Sequence, residues 1–293
     1  MQIGSTITSN PVQCALAKLL RKIQLSAADR RLASALQQLV RERVSTTFRG
    51  VKRSFLSGSM GRHTAISPLH DIDVVLVLDH ETRARLFDEA PERTIIALAG
   101  SVKSAFPCNR VKVQNRSIKI QIKGIDIDIV PAFQEEEDAP LIIPDRRASR
   151  WWETDPESVR DESPHLNGIN EGLLKPVIKL LKHWRNIWEI PIKSFHLEMM
   201  IYQLERFKMP TIDTTLCEAF QHLGKSIHST CPDPANCNID LGEYLSQSDK
   251  NELARRFEAA IRESRGAVEA TYYGNIQDAH KHWRKVFRQS YPD

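Results

Sequence analysis

Asp71 and Asp73 stand two residues apart at the head of an apolar, β-branched run, Val74-Val75-Leu76-Val77-Leu78, and eleven residues separate them from Gly58-Ser59. The run reads as a buried strand, and its period of two puts both carboxylates on one face and Ile72 on the other. Like charges side by side at a strand's start are costly unless a cation lies between them. Oxygen ligands without a neighbouring His or Cys suit a hard ion, Mg2+ or Mn2+. A second strand pattern, Ile125-Asp126-Ile127-Asp128-Ile129-Val130, repeats the arrangement and is expected to close at Pro131. Asp126 and Asp128 share its polar face and, beside the first strand, would complete a metal cage. Gly58 lets backbone approach a phosphate, and Ser59 adds a hydroxyl. Together these residues have the chemistry of metal-dependent phosphoryl transfer, with two ions as the usual complement.

The elements that must position these groups follow in order. Pro11 to Ile23 has helical apolar spacing, and Ser26 is expected to cap a longer helix through about Val44. The basic residues Arg41, Arg43, Arg49, Lys52 and Arg53 read as a solvated face, with a polyanion-binding patch as the alternative. A helix from about Arg83 to Ser104, interrupted near Pro91, precedes a hairpin of Val111–Gln114 and Ser117–Ile122. From Gln134 to about Asn170 periodicity fades, and Pro140, Pro144, Pro156 and Pro164 argue against long regular elements. Trp151-Trp152 reads as packing between lobes, or as a stacking platform for a base.

The second half is helical. Leu173 to Trp188 carries one apolar stripe, and Lys175, Lys179, Lys182 and Asn186 form a second stripe away from it, which reads as a wet helix face or as one aiming a lysine at a triphosphate. Ser194 is expected to cap a helix from Phe195 to about Lys208. Thr214 is expected to cap a short helix ending at Gly224, and Ser246 or Ser248 a long one. His222, His228, Cys231 and Cys237 are spaced poorly for structural zinc.

Composition sets outer limits. The 293 residues with a net charge of +4 suit a two-lobed protein that tolerates a nucleotide or nucleic-acid partner without requiring one. No apolar run reaches the length of a membrane span, and the first residues lack a signal peptide's pattern. Five scattered cysteines suit free thiols in the cytoplasm.

GSMGRHTAISPLHDIDVVLVL together with IDIDIVPAF resembles the nucleotidyltransferases of the polymerase-β superfamily, in the oligoadenylate synthase and cyclic GMP–AMP synthase branch. The nearest resemblance is to the bacterial cGAS/DncV-like nucleotidyltransferases (CD-NTases). Ile23 to Arg31, LLKPVIKLLKHWR, IKSFHLEMM, PDPANCN and HWRKVFRQSYP resemble further family segments in order. The resemblance implies an α+β fold: a nucleotidyltransferase lobe with a mixed sheet (residues 1–170) and a C-terminal helical lobe (171–293), with the site in a cleft. It implies that Asp71, Asp73 and Asp128 bind two Mg2+ or Mn2+ ions and that Asp128 activates the acceptor hydroxyl, leaving Asp126 auxiliary. Gly58, Ser59, Lys182 (or Lys179) and Ser194 would hold the donor phosphates, and Phe195 would stack on the donor base. Arg62 and Thr64 would stabilise the loop or touch ligand. The implied activity joins NTPs into a cyclic di- or trinucleotide second messenger for antiphage signalling (CBASS), with effector or activator proteins of a defence operon as partners. Linear oligonucleotide synthesis, RNA 3′-end addition and a non-enzymatic RNA or nucleotide sensor are the alternatives.

Overall fold

The computed structural model describes residues 10–86, 90–136, 139–204, 207 and 211–292. The expected break after residue 170 is not where the chain divides. One compact unit comprises residues 25–161 and 234–236; the other comprises 1–24, 162–233 and 237–293. The first helix, α1 (Pro11–Ile23), therefore belongs with the second-half helices, because its buried Leu16, Leu19 and Leu20 pack against them.

In the first unit, α2 (Ala27–Thr47) starts at a capping box, Ser26 with Asp29. Such a cap contributes about 1 kcal/mol. Strand β1 (Val51–Leu56), the single turn α3 (Gly58–Gly61), β2 (Asp71–Leu78), α4 (His80–Leu86) and α5 (Pro91–Ala105) follow. Then come β3 (Lys112–Val113), β4 (Ile118–Ile122), β5 (Ile125–Gln134), β6 (Leu141–Asp145) and β7 (Arg150–Thr154). The sheet runs β1-β2-β5-β4-β3, with β6 joined to the end of β5 and β7 to β6. Among the described residues of this sheet, β2 and β5 are parallel neighbours and the other pairings are antiparallel.

Alternation divides each central strand cleanly. Ile72, Val74, Leu76 and Leu78 of β2, with Ile125, Ile127 and Ile129 of β5, join a core built with Leu36, Val40 and Val44 of α2 and Ile95, Leu98 and Val102 of α5. The opposite face begins with carboxylates and turns apolar further along. There Val75, Val77 and Ala132 pack with Leu141 and Ile143 of β6. The acids therefore sit at the end of this face away from the β6–β7 hairpin.

Two expectations fail in this unit. Pro131 does not close β5, which continues to Gln134. Asp126 N–H donates toward β2, so by alternation residue 131 addresses the other side, between the β4 pairing that ends at Ile129 and the β6 pairing that starts at Phe133. No ladder bond needs an N–H from Pro131 there. Residues 135–170 are also more regular than their prolines suggest. Pro144 lies inside β6 opposite Trp151, Pro156 opens α6 (Pro156–Ile169), and Pro164 is accommodated within that helix. Trp151 packs edge-on against Phe133 within this unit, and Trp152 lies under the Arg116 guanidinium at 3.8 Å.

The second unit contains α7 (Leu174–Ile187), α8 (Ser194–Tyr202), α9 (Ile212–Ser226), the ribbon β8 (Pro232–Asp233) with β9 (Asn236–Asp240), α10 (Gln247–Tyr272) and α11 (Ile276–Phe287). Its core holds Trp184 edge-on to Phe220 at 5.1 Å and stacked on Phe257 at 5.6 Å. Trp283 stacks on Phe287, as their i,i+4 spacing requires. Ser246 caps α10 in a capping box with Asp249. Ser194 and Thr214 do not cap. Ser194 is the first residue of α8 behind Lys193, and Thr214 lies one turn inside a helix whose cap position is Thr211.

Candidate active site

The loop after β1 is shaped by its contacts with β2. Ser57 N–H donates to the Asp73 carbonyl at 2.9 Å, and Gly58 then takes φ +57°. Any β-carbon at residue 58 would stand 2.0 Å from Asp73 Oδ2, so only glycine lets the turn lie against that carboxylate. The Ser59 carbonyl accepts N–H bonds from Thr64 and Ala65, which closes the loop on itself. Arg62 and Thr64 are buried within it, a placement that favours loop support over solvent-side contact.

Across the parallel pair, Asp71 is in register with Asp126 and Asp73 with Asp128. All four lie on the face opposite the helices, two rows of two. Burial raises Asp73 to about 6, reinforced by the like charges of Asp71 and then Asp128 and opposed by Arg62 and Lys119. Burial also raises Asp128, against the pull of Lys119 and a Ser117 hydrogen bond. Asp126 moves the other way: hydrogen bonds from Lys119 and Gln121 lower it. The split between the two β5 acids thus has a physical cause. Asp126 has both oxygens engaged, Oδ2 by Lys119 Nζ and Oδ1 by Gln121 Nε2, each at 3.0 Å.

Of the residues singled out from the sequence, Gly58, Ser59, Asp71, Asp73 and Asp128 are brought together on β2, β5 and the loop. Lys119, Gln121 and Ser117 were missed. Their signal was present: Ile118-Lys119-Ile120-Gln121-Ile122 alternates, and an antiparallel hairpin into β5 sets Lys119 opposite Asp128 and Gln121 opposite Asp126.

Lys182, Ser194 and Phe195 belong to the helical unit. Lys182 is not on a solvated stripe. It is 4% exposed, and its Nζ lies 2.8 Å from Oε2 of the fully buried Glu198. Helical spacing alone could not foresee a partner on α8. Lys175 is likewise drawn in, its ammonium held below the usual lysine range by burial. Ser194 Oγ accepts from Arg185 at 3.3 Å, and Phe195 is half-buried in the first turn of α8.

Among the described residues, no three His, Cys, Asp or Glu side chains are already gathered as a metal cage. The donor set nonetheless fits a hard divalent ion: it is all oxygen, and the burial and like charges that raise Asp73 are a penalty on its carboxylate that a bound cation would relieve. The His222, Cys231 and Cys237 group is dispersed in role. His222 is bound to the Met200 carbonyl, Cys231 is buried with its thiol pushed up to about 12, and Cys237 is exposed.

A family model described as a second messenger oligonucleotide or dinucleotide synthetase domain matches residues 11–167. The chain belongs to this family. It is a bacterial CD-NTase, with the polymerase-β-like fold and the nucleotidyltransferase activity of that class. A Bacillus cereus protein named probable cyclic nucleotide synthase is 25% identical over 271 residues, 80% of this chain and 81% of that protein. A cyclic AMP-AMP-AMP synthase from Acinetobacter is 28% identical over 159 residues, half of this chain and 44% of that enzyme. Among solved structures, E. coli MS115-1 CdnC with ATP superposes with a TM-score of 0.74 at 20% identity, covering 96% of this chain and 98% of its own. That protein has also been solved in complex with HORMA. In this CD-NTase no helix among the described residues is long and apolar enough to cross a membrane.

Proposed function

We propose that this CD-NTase joins nucleoside triphosphates through phosphodiester bonds, releases pyrophosphate and closes a cyclic di- or trinucleotide. The observation that carries the reading is the in-register pairing of Asp71-Ile72-Asp73 with Asp126-Ile127-Asp128 beside the Gly58 turn. Asp71, Asp73 and Asp128 would hold Mg2+ or Mn2+. Bound there, the ions supply counter-charge for the triphosphate and lower the pKa of an attacking hydroxyl. Asp128, raised by burial, is the acid suited to orient the acceptor hydroxyl and take its proton. Gly58 and Ser59 are assigned to the donor's terminal phosphates, where backbone must approach closely. On the family resemblance, Ser194 and Phe195 are assigned to the donor nucleotide, and Lys182 or its neighbour Lys179 to its phosphates.

The product would act as a second messenger in antiphage signalling in the cytoplasm, with an effector or activator protein from the same operon. Support comes from the relatives: one is named a cyclic AMP-AMP-AMP synthase, and the E. coli neighbour is solved with ATP and with a HORMA partner.

All four labelled NTPs incubated with the enzyme and Mg2+ or Mn2+, then treated with phosphatase and resolved by chromatography and mass spectrometry, test the proposal. A phosphatase-resistant cyclic product, lost in Asp71→Ala/Asp73→Ala, is expected. A linear product would replace the cyclase reading with linear oligonucleotide synthesis, and an RNA-linked product would replace it with RNA 3′-end addition. Tight RNA binding with no pyrophosphate release would replace it with a sensor.

A further inference from the structure

Four carboxylates in two adjacent rows need a positive partner in any state of the protein. The one that reaches the β5 row from the neighbouring strand is Lys119. It stands directly opposite Asp128 in the β4–β5 register, and its Nζ lies 3.0 Å from Asp126 Oδ2 and 3.5 Å from Asp128 Oδ2. The two contacts are unequal. Asp126 holds the ammonium closely and is itself steadied by Gln121, whereas Asp128 has the longer contact and a 3.4 Å bond from Ser117 Oγ. Lys119 is part exposed, at 28%, so its flexible stem has room to shift from one carboxylate to the other.

We infer that Lys119 is a resident counter-cation for the β5 row of this acid array, competing with an incoming divalent ion for Asp128 and passing wholly to Asp126 when that ion binds. Asp126 is then a positioning residue, acting through Lys119 and not as a ligand. The inference rests on the metal-dependent reading proposed above. It goes beyond that reading by giving β4 a role: the strand sets how readily the third acid is surrendered to metal.

The test is a titration of the nucleotide-free full chain with MnCl2, reading free Mn2+ by electron paramagnetic resonance, with a thermal melt of each variant as a folding control. Lys119→Met keeps the stem and removes the charge. Its Mn2+ binding should tighten by roughly fivefold or more, since a unit charge a few ångströms from the ion is gone. Lys119→Gln, a second neutral variant, should do the same, and Lys119→Arg should stay near wild type. Asp126→Asn should weaken Mn2+ binding in the wild-type background, because Lys119 then turns to Asp128, and should have little effect in Lys119→Met. Unchanged or weaker binding in both neutral variants overturns the inference. An equal loss from Asp126→Asn in both backgrounds also overturns it, since Asp126 would then be a ligand. A wild type that binds no Mn2+ rejects the metal reading itself. Wild-type binding that is lost in Asp73→Asn, with Lys119→Met unaltered, rejects the inference alone.

Discussion

Gly58 and Asp73 lie so close that a β-carbon at residue 58 would stand 2.0 Å from Asp73 Oδ2. The turn's φ of +57° adds a second reason for glycine, because L-residues rarely adopt it. Gly58→Ala must therefore displace either the loop or the carboxylate. Loss of one preorganised group at a phosphoryl-transfer site costs about 10²-fold or more in rate. Pyrophosphate release should fall by at least that factor, while a circular dichroism spectrum near wild type would place the damage in the loop.

Asp73 carries a pH signature in the metal-free protein. Its folded-state pKa of about 6 lies above the ordinary 3.8, so the native state retains a proton that the unfolded chain releases between those values. Stability from this group is fully present below about pH 4 and declines as pH rises toward 6. Thermal melts in EDTA should show the wild type losing ground to Asp73→Asn across that window. Other carboxylates, Asp126 among them, are lowered and slope the opposite way, so the difference between the two proteins is the quantity to read. Saturating Mg2+ should abolish it.

The two β5 acids should separate kinetically. Asp128→Asn removes the group assigned to the acceptor hydroxyl and should lower kcat by a factor on the order of 10² to 10⁴, the usual contribution of general acid–base catalysis, at any Mg2+ concentration. Asp126→Asn leaves that group in place but frees Lys119, so its loss should recover as Mg2+ is raised. Initial rates of pyrophosphate release over a Mg2+ series distinguish the two patterns.

How far the sequence reads ahead of the structure varies with the kind of interaction. Period-two alternation around Asp71-Ile72-Asp73 and Ile125 to Val130 foretells which face bears carboxylates, because strand geometry leaves no other choice. The Ser26 and Ser246 caps are equally local and equally readable. What escapes depends on neighbours remote in the chain. Pro131 is tolerated because two partner strands leave a gap opposite it, and Pro144 lies beyond Ile142, where β6 no longer pairs with β5 and one side of the strand is left without a ladder. Lys119 gains its meaning from the β4–β5 register, which alternation within one strand does not number. Ser194 carries the right residue type for a cap, yet the backbone starts α8 at it and gives its hydroxyl to Arg185.

Lys182 and Glu198 provide the sharpest case of a remote partner, and a stability test. The pair is enclosed, 4% and 0% exposed at the side chains, with Tyr202 OH 3.3 Å from Glu198 Oε1 and 2.9 Å from Ser163 Oγ. Removing one charge from such a pair leaves the other buried and uncompensated, which costs about 3–5 kcal/mol. Replacing both with apolar groups of similar volume is often near neutral. Glu198→Gln should therefore lower the urea midpoint sharply, and Lys182→Met should do the same. Lys182→Met/Glu198→Leu should recover most of the loss, because neither charge then remains to be solvated. If the double variant regains stability but makes no product, the lysine serves the nucleotide as well as the fold. If it regains both, the pair is a structural strut between α7 and α8, and the donor phosphates depend on other groups.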